Sequence, residues 1–140
     1  MFDLTGKVAV VTGSTKGIGK AIAEQFALSG AKVVVSSRKS ELCDEVARSI
    51  NERVRDQSGE ATAMPCHISH KEQLQNLVEE THHRFGKIDV LVGNAAVNPF
   101  FGSTADIPDS AFEKIMDTNI KSNHWLCQMV IPDMIRGFNS

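Results

Sequence analysis

The feature that most constrains this chain is a strand signal that runs directly into a glycine-rich turn and then into a helix signal. Lys7 to Thr12 (KVAVVT) is an almost unbroken apolar, β-branched run, which suits a strand buried on both faces of a parallel sheet. The turn TGSTKGIG, Thr12 to Gly19, follows at once. From Gly17 to Ser29 the apolar residues Ile18, Ile22, Phe26 and Ala27 return at helical spacing, and Gly30 marks the stop just past the helix.

The unit then repeats. KVVVSS (Lys32 to Ser37) predicts a second strand, and a helix from about Ser40 to Gln57 carries Leu42, Val46 and Ile50 on its apolar face, ended by Gly59. Glu60 to Pro65 predicts a short third strand. The next helix runs from about Ser69 to Phe85 on Leu74, Leu77 and Val78, with Ser69 as N-cap, Glu72 in the capping-box position and Gly86 closing it. A fourth strand is expected over Lys87 to Gly93, then a loop to about Pro108. The long helical stretch beyond it has Phe112, Ile115, Met116, Ile120, Leu126 and Met129 on its apolar face, kinked or ended at Pro132. Alternating strands and helices require a parallel sheet with right-handed crossovers and helices on both faces. The expected fold class is α/β, doubly wound, as one domain over residues 1–140.

Composition narrows the function classes. The 41% hydrophobic and 23% charged content and the net charge of −2 are those of an ordinary soluble globular protein, without the basic excess of a nucleic-acid binder. The first residues carry no secretory signal pattern, and no apolar run approaches the roughly 18 residues of a membrane span, so a soluble, cytoplasmic protein is expected. Cys43, Cys66 and Cys127 have no CxxC spacing and are expected as buried or half-buried structural thiols. His82 and His83 point about 100° apart on a helix with no partner at ligand spacing and are expected at the surface. No metal site is expected.

The turn itself points to a ligand. Backbone N–H groups at a helix N-terminus favour an anion, and glycines allow a diphosphate to approach the main chain, so Gly13, Ser14, Thr15, Lys16, Gly17, Ile18 and Gly19 form a candidate dinucleotide cradle. At the end of the second strand, where an acidic residue would bind a ribose 2′-OH, the chain instead has Ser36, Ser37, Arg38 and Lys39. Ser37 and Arg38, with Lys16 from the turn, are expected to accept a 2′-phosphate, because a guanidinium offers it a charged bidentate fork. NADP(H) is thereby expected over NAD(H).

The spacing of Gly13, Gly17 and Gly19, GxxxGxG, resembles the TGxxxGIG turn of the short-chain dehydrogenase/reductase family rather than the GxGxxG of other dinucleotide folds. GNAAV (Gly93 to Val97) resembles the family's NNAG or NAAG segment, and the loop NAAVNPFFG is particularly similar to carbonyl and retinal reductases of the dehydrogenase/reductase member 4 type. The resemblance implies a Rossmann-like sheet ordered 3-2-1-4. It gives Asn94 a role in steadying the sheet, Ala95 and Ala96 close approach to the adenosine ribose, and His67 and Ile68 contact with adenine. Asn119, in DTNIKSN, falls where the family interrupts its helix and anchors a proton-relay water, and is the candidate catalytic residue. Val97 and Phe100 are candidate substrate contacts.

The family's catalytic Ser and YxxxK are not matched: the 140 residues contain no tyrosine. By resemblance the chain corresponds to about the first half of a family member, an NADP(H)-dependent carbonyl or alcohol oxidoreductase. The expectation is that it stops before the catalytic segment, leaves strand 4 as a raw edge, is poorly stable and inactive alone, and belongs to a homo-oligomer when complete. A non-catalytic nucleotide-binding module, or an inactive fragment, is the alternative reading.

Overall fold

The computed structural model describes residues 2–139. Its elements are β1 (Val8–Thr12), α1 (Gly17–Leu28), β2 (Lys32–Ser36), α2 (Ser40–Arg53), β3 (Glu60–Ala63), α3 (Lys71–Phe85), β4 (Val90–Val92), α4 (Asp109–Ile115) and α5 (Ser122–Asn139). A π-helical segment, Met116–Lys121, joins the last two helices. The four strands form one parallel sheet in the order β3-β2-β1-β4.

The unbroken apolar runs of β1 and β2 follow from burial on both faces. Alternate side chains of a strand point to opposite faces, and here each face has its own helical layer. Val11, Val33 and Val35 pack with Ala23 and Ala27 of α1 and with Cys43, Val46 and Ile50 of α2. Val10 and Val34 pack with Leu74, Leu77 and Val78 of α3 and with Leu126 and Val130 of α5. Each such buried valine contributes about 1.5–3 kcal/mol of transfer free energy, which is why polar residues find no place between Val8 and Val11 or between Val33 and Val35. The outer strand β4 is only half-buried.

Several expected boundaries move. α2 ends at Arg53, because Gln57 N–H closes a turn on Val54 O (2.8 Å) instead of continuing the helix. β2 stops at Ser36 and β3 at Ala63, although single bonds from Met64 N to Val35 O (3.0 Å) and Cys66 N to Ser37 O (2.9 Å) carry the pairing on. β4 shrinks to three residues, and Asp89 before it is held by its carboxylate on Val8 N (2.8 Å). The Ser69 capping box does not form. α3 starts at Lys71 after an extended His70, and the Ser69 hydroxyl is engaged by His67 Nδ1 at 2.6 Å.

Pro132 does not end the helix: α5 runs through it to Asn139. The proline is exposed, so the carbonyl that loses its donor can be hydrated. The next residue fixes the segment, since the buried Asp133 carboxylate accepts from Ile88 N (3.0 Å) and pairs with His82 and Arg136. His82 is therefore not a free surface residue but a tie between α3 and α5; His83 is exposed as expected. Cys43 and Cys66 are buried, whereas Cys127 is exposed on α5. Burial pushes the Cys66 thiol up to about 11.

Candidate functional site at the carboxyl ends of the strands

In an open parallel sheet the ligand crevice lies beyond the carboxyl ends of the strands, where the strand order reverses; here that is between β1 and β4. Thr12, the last residue of β1, joins the two turns. Its Oγ1 accepts from Asn94 N (3.0 Å) and Ala95 N (3.1 Å) and donates to Val92 O (3.3 Å). Asn94 completes the connection by donating from Nδ2 to Gly13 O (3.0 Å). Strand β4 is thus tied to the glycine turn by side chains just beyond the last pair of the sheet ladder.

The three glycines do different jobs. Gly13 has φ +63°, and a Cβ there would lie 2.9 Å from Ala95 Cα. At Gly19 a Cβ would lie 2.3 Å from Gly13 O and 2.5 Å from Asn94 Nδ2. Both positions therefore allow the turn to close onto the Asn94–Ala95 segment. Gly17 has φ +57°, and its Cβ position has no atom within 4 Å: it opens outward. α1 begins there after an extended Lys16, with no side chain capping its first N–H groups. A helix start with free donors, a bare glycine at its mouth and no side chain filling the space is what a diphosphate requires.

Around this cradle the other candidates take distinct places. Ser14 is fully buried; its hydroxyl donates to Val11 O (2.8 Å) and accepts from Ser36 N (2.9 Å), so it binds the turn to β2 and its side chain is not at the mouth. Thr15 is half-buried and Lys16 exposed. Ile18 is 74% exposed on the first turn of α1, an apolar surface beside the cradle. Ser37 Oγ accepts from Lys39 N (3.2 Å) at the start of α2. Arg38 is exposed, and among the described residues no carboxylate pairs with it or with Lys16.

Ile68 is packed into the core with Leu74 and Leu77, which leaves the half-buried His67 as the member of that pair open to solvent. Burial holds the His67 imidazole below its ordinary value, and the charges of His70, Arg38 and Lys114 lower it further. Ala95 is half-buried and Ala96 exposed.

Asn119 lies within the π-helical segment. Its Oδ1 accepts from Val97 N (2.7 Å) and its Nδ2 donates to Val97 O (2.9 Å), so both amide atoms clamp the loop that follows β4. Its own carbonyl accepts from Asn123 Nδ2 (2.9 Å), and Ser122 Oγ donates to Thr118 O. These side-chain donors serve carbonyls of the widened turn. Val97 and Phe100 are half-buried in the clamped loop, and Phe101 is 87% exposed.

The structure thus brings Gly13, Gly17, Gly19, Asn94 and Ala95 into direct contact or one turn, and joins Asn119 to Val97. Sequence reasoning missed Thr12; a hydroxyl closing an apolar strand immediately before Gly13 was the available signal. It also missed Lys114, distant in sequence from Arg38 and His67. A surface depression of about 550 Å³ between α2 and β3 lies elsewhere, lined by Arg48, Asn51 and Arg84 among others. The crevice is favoured on chemistry, because it combines the uncapped start of α1 with Lys16 and, past the end of the neighbouring strand, Arg38, with which no carboxylate pairs among the described residues. Among the described residues no group of three or more His, Cys, Asp or Glu is arranged to hold a metal ion, and no helix is long and apolar enough to cross a membrane.

Comparison with known proteins agrees with this geometry. Residues 7–139 match the family model for short chain dehydrogenase. Tropinone reductase-like 3 of Erythroxylum coca is 42% identical over 132 residues, covering 94% of this chain and 50% of that protein. Dehydrogenase/reductase SDR family member 4 of Bos taurus is 41% identical over 133 residues, covering 95% and 46%. The chain spans about half the length of these relatives. Among solved structures, a metagenomic short-chain oxidoreductase in complex with NADP superposes with a TM-score of 0.86 at 34% identity, covering 96% of this chain and 59% of that one. L-sorbose reductase from Gluconobacter frateurii, complexed with NADPH and L-sorbose, gives 0.87 at 31%, covering 97% and 51%. With that turn, that strand order and a family match over nearly its whole length, the chain belongs to the short-chain dehydrogenase/reductase family.

Proposed function

We propose that these residues form the cofactor-holding part of an NADP(H)-dependent oxidoreductase of the carbonyl reductase or alcohol dehydrogenase type, acting on a small-molecule substrate. The observation that carries the reading is the open cradle at Gly17, closed on its inner side by Gly13, Gly19, Asn94 and Ala95, with Lys16 in the turn and Arg38 past the end of β2 pairing with no carboxylate among the described residues. The first N–H groups of α1 would hold the diphosphate, and Ser37, Arg38 and Lys16 the 2′-phosphate. Ala95 and Ala96 leave room for the ribose, and His67 faces the adenine end, with Ile68 as its packed support. When bound, the nicotinamide would supply or accept hydride.

Asn119 then acts as a positioning residue. By gripping both main-chain atoms of Val97 it holds the loop carrying Val97 and Phe100 over the end of the crevice where a substrate would lie. The chain has no tyrosine, so these residues bind, orient and enclose, and the proton of carbonyl reduction is not assigned to any of them. The two NADP(H)-bound structural neighbours support the cofactor preference. The reading includes a soluble, cytoplasmic and self-associating protein, for which Phe112 of α4, Met116 and Ile120 of the π-helical segment, and Ile131 and Ile135 of α5 supply exposed apolar surface.

Calorimetric titration of the purified protein with NADPH and NADH tests the proposal. NADPH should bind more tightly, and Arg38→Asp should reverse the order. Equal affinity in wild type would remove Arg38 from its role, and absence of binding by either would overturn the nucleotide assignment.

A further inference from the structure

The side chain of His67 is held in a setting that couples it to the charge of whatever occupies the neighbouring crevice. The Cys66 N to Ser37 O bond (2.9 Å) puts the segment after β3 alongside the segment after β2, so that His67 and Arg38 each follow a paired residue at the same end of the sheet. His67 is fixed from several directions. Its N–H donates to Gln73 Oε1 (2.7 Å), its Nδ1 accepts from Ser69 N (3.3 Å) and meets Ser69 Oγ at 2.6 Å, and its ring lies 4.6 Å from that of His70, edge to face. Because Ser69 N–H must donate, Nδ1 is an acceptor and the neutral ring carries its proton on Nε2.

The charges that act on this ring are all positive: His70 from the start of α3, Arg38 from the end of β2 and Lys114 from α4. Partial burial first, and these groups after it, lower the proton affinity of the ring in the free protein. A dianionic group entering among these cations offsets most of their positive field at the ring. Resting on the NADP(H) reading above, we propose that His67 is a proton-linked determinant of cofactor choice: a nucleotide bearing a 2′-phosphate binds together with uptake of a proton by His67, and a nucleotide without that phosphate does not. On protonation Nδ1 becomes a donor, Ser69 Oγ turns to accept from it, and the Ser69 N–H bond is given up. No other covalent or redox change is involved.

The direction of the pH effect follows. The phosphate favours the charged ring, so the proton-binding range of His67 is higher in the complex than in the free protein, and affinity for NADPH falls as pH rises through that range. One linked proton gives at most about tenfold per pH unit. The 2′-phosphate itself titrates near pH 6 and would release, not take up, a proton on meeting cations. Measurements between pH 7 and 8 hold that contribution small, and it is common to wild type and variant.

The test is calorimetric titration with NADPH, NADH, 2′,5′-ADP and 5′-AMP in buffers of different ionisation enthalpy, on wild type and His67→Gln. Net proton uptake is expected in wild type with NADPH and 2′,5′-ADP only, together with weaker NADPH binding at pH 8 than at pH 7; both should vanish in His67→Gln. The ring titration of His67 followed by NMR in wild type, with and without 2′,5′-ADP, needs no variant and should move upward with the ligand. NADPH binding more tightly than NADH, with no proton uptake and an unmoved ring titration, would overturn this inference and leave the cofactor reading standing. Failure of NADPH to bind, or binding no tighter than NADH, would overturn the cofactor reading first.

Discussion

Replacing Thr12 by valine changes almost nothing in shape but removes the one atom that joins β1 to the segment after β4. Thr12 is 2% exposed, and its hydroxyl is the acceptor for Asn94 N–H and Ala95 N–H. A backbone N–H left without a partner in a buried site costs about 1–3 kcal/mol. Asn94 N–H keeps a second acceptor in Val92 O (3.2 Å) and loses about 0.5 kcal/mol, while the half-buried Ala95 N–H loses its acceptor at about 1 kcal/mol. The 3.3 Å bond to Val92 O adds little. Thr12→Val should therefore lower the unfolding free energy by about 1.5 kcal/mol, which for a domain of this size is a drop of roughly 5 °C in Tm. Thr12→Ser keeps the oxygen and gives up a buried methyl, a loss of about 0.8 kcal/mol. Urea unfolding of the three proteins, with equal m-values, reads the difference directly. If the valine variant lies within about 0.5 kcal/mol of wild type, or the serine variant is no better than the valine one, then the hydroxyl bridge does not hold the site together.

Gly19→Ala and Gly17→Ala should separate packing from binding. A Cβ at Gly19 meets Gly13 O at 2.3 Å and should cost about 3 kcal/mol of stability, whereas Gly17 faces open space and should cost about 1–2 kcal/mol through its φ of +57° while weakening NADPH far more than it weakens the fold. Thermal melts beside nucleotide titrations decide this, and equal stability losses would contradict the division of roles. Asp133→Ala should cost about 2 kcal/mol, because Ile88 N–H and His82 lose their acceptor, while Arg136→Ala, removing a guanidinium that is 72% exposed, should cost nearly nothing. Equal effects in urea unfolding would contradict the division between the buried carboxylate, which ties α5 to α3, and the exposed guanidinium beside it on α5. With a maleimide or iodoacetamide at pH 8, Cys127 should react first and Cys66 last, since Cys127 is exposed and burial pushes the Cys66 thiol up to about 11. Peptide mapping that finds Cys66 modified as fast as Cys127 would refute the burial assigned to it.

Local pattern carried the fold a long way. The valines of β1 and β2, the glycine stops and the helical spacing of Leu74, Leu77 and Val78 predicted the element order and parallel sheet that the structure has. Element ends were less legible. Ser69 has the residue type of an N-cap, but His67 competes for its hydroxyl from two residues away. Pro132 reads as a break, yet Asp133 is held by Ile88 and His82, far off in sequence, and the helix continues. At the site, the glycine positions were legible because backbone geometry leaves few alternatives to glycine there. Which candidate residues face the crevice was not: Ser14 turns inward to Ser36 and Ile68 enters the core.

By itself the sequence determined the periodicities, the glycine spacing and the basic residues after the second strand, because hydrophobic alternation and allowed backbone angles are local properties. Tertiary structure decided which groups meet: Thr12 with Asn94 and Ala95, Asn119 with Val97, His67 with the charges of Arg38 and Lys114. Those pairings join residues from tens of positions apart, and a directional hydrogen bond or a short-range charge effect exists only after packing has brought its two ends within a few ångströms.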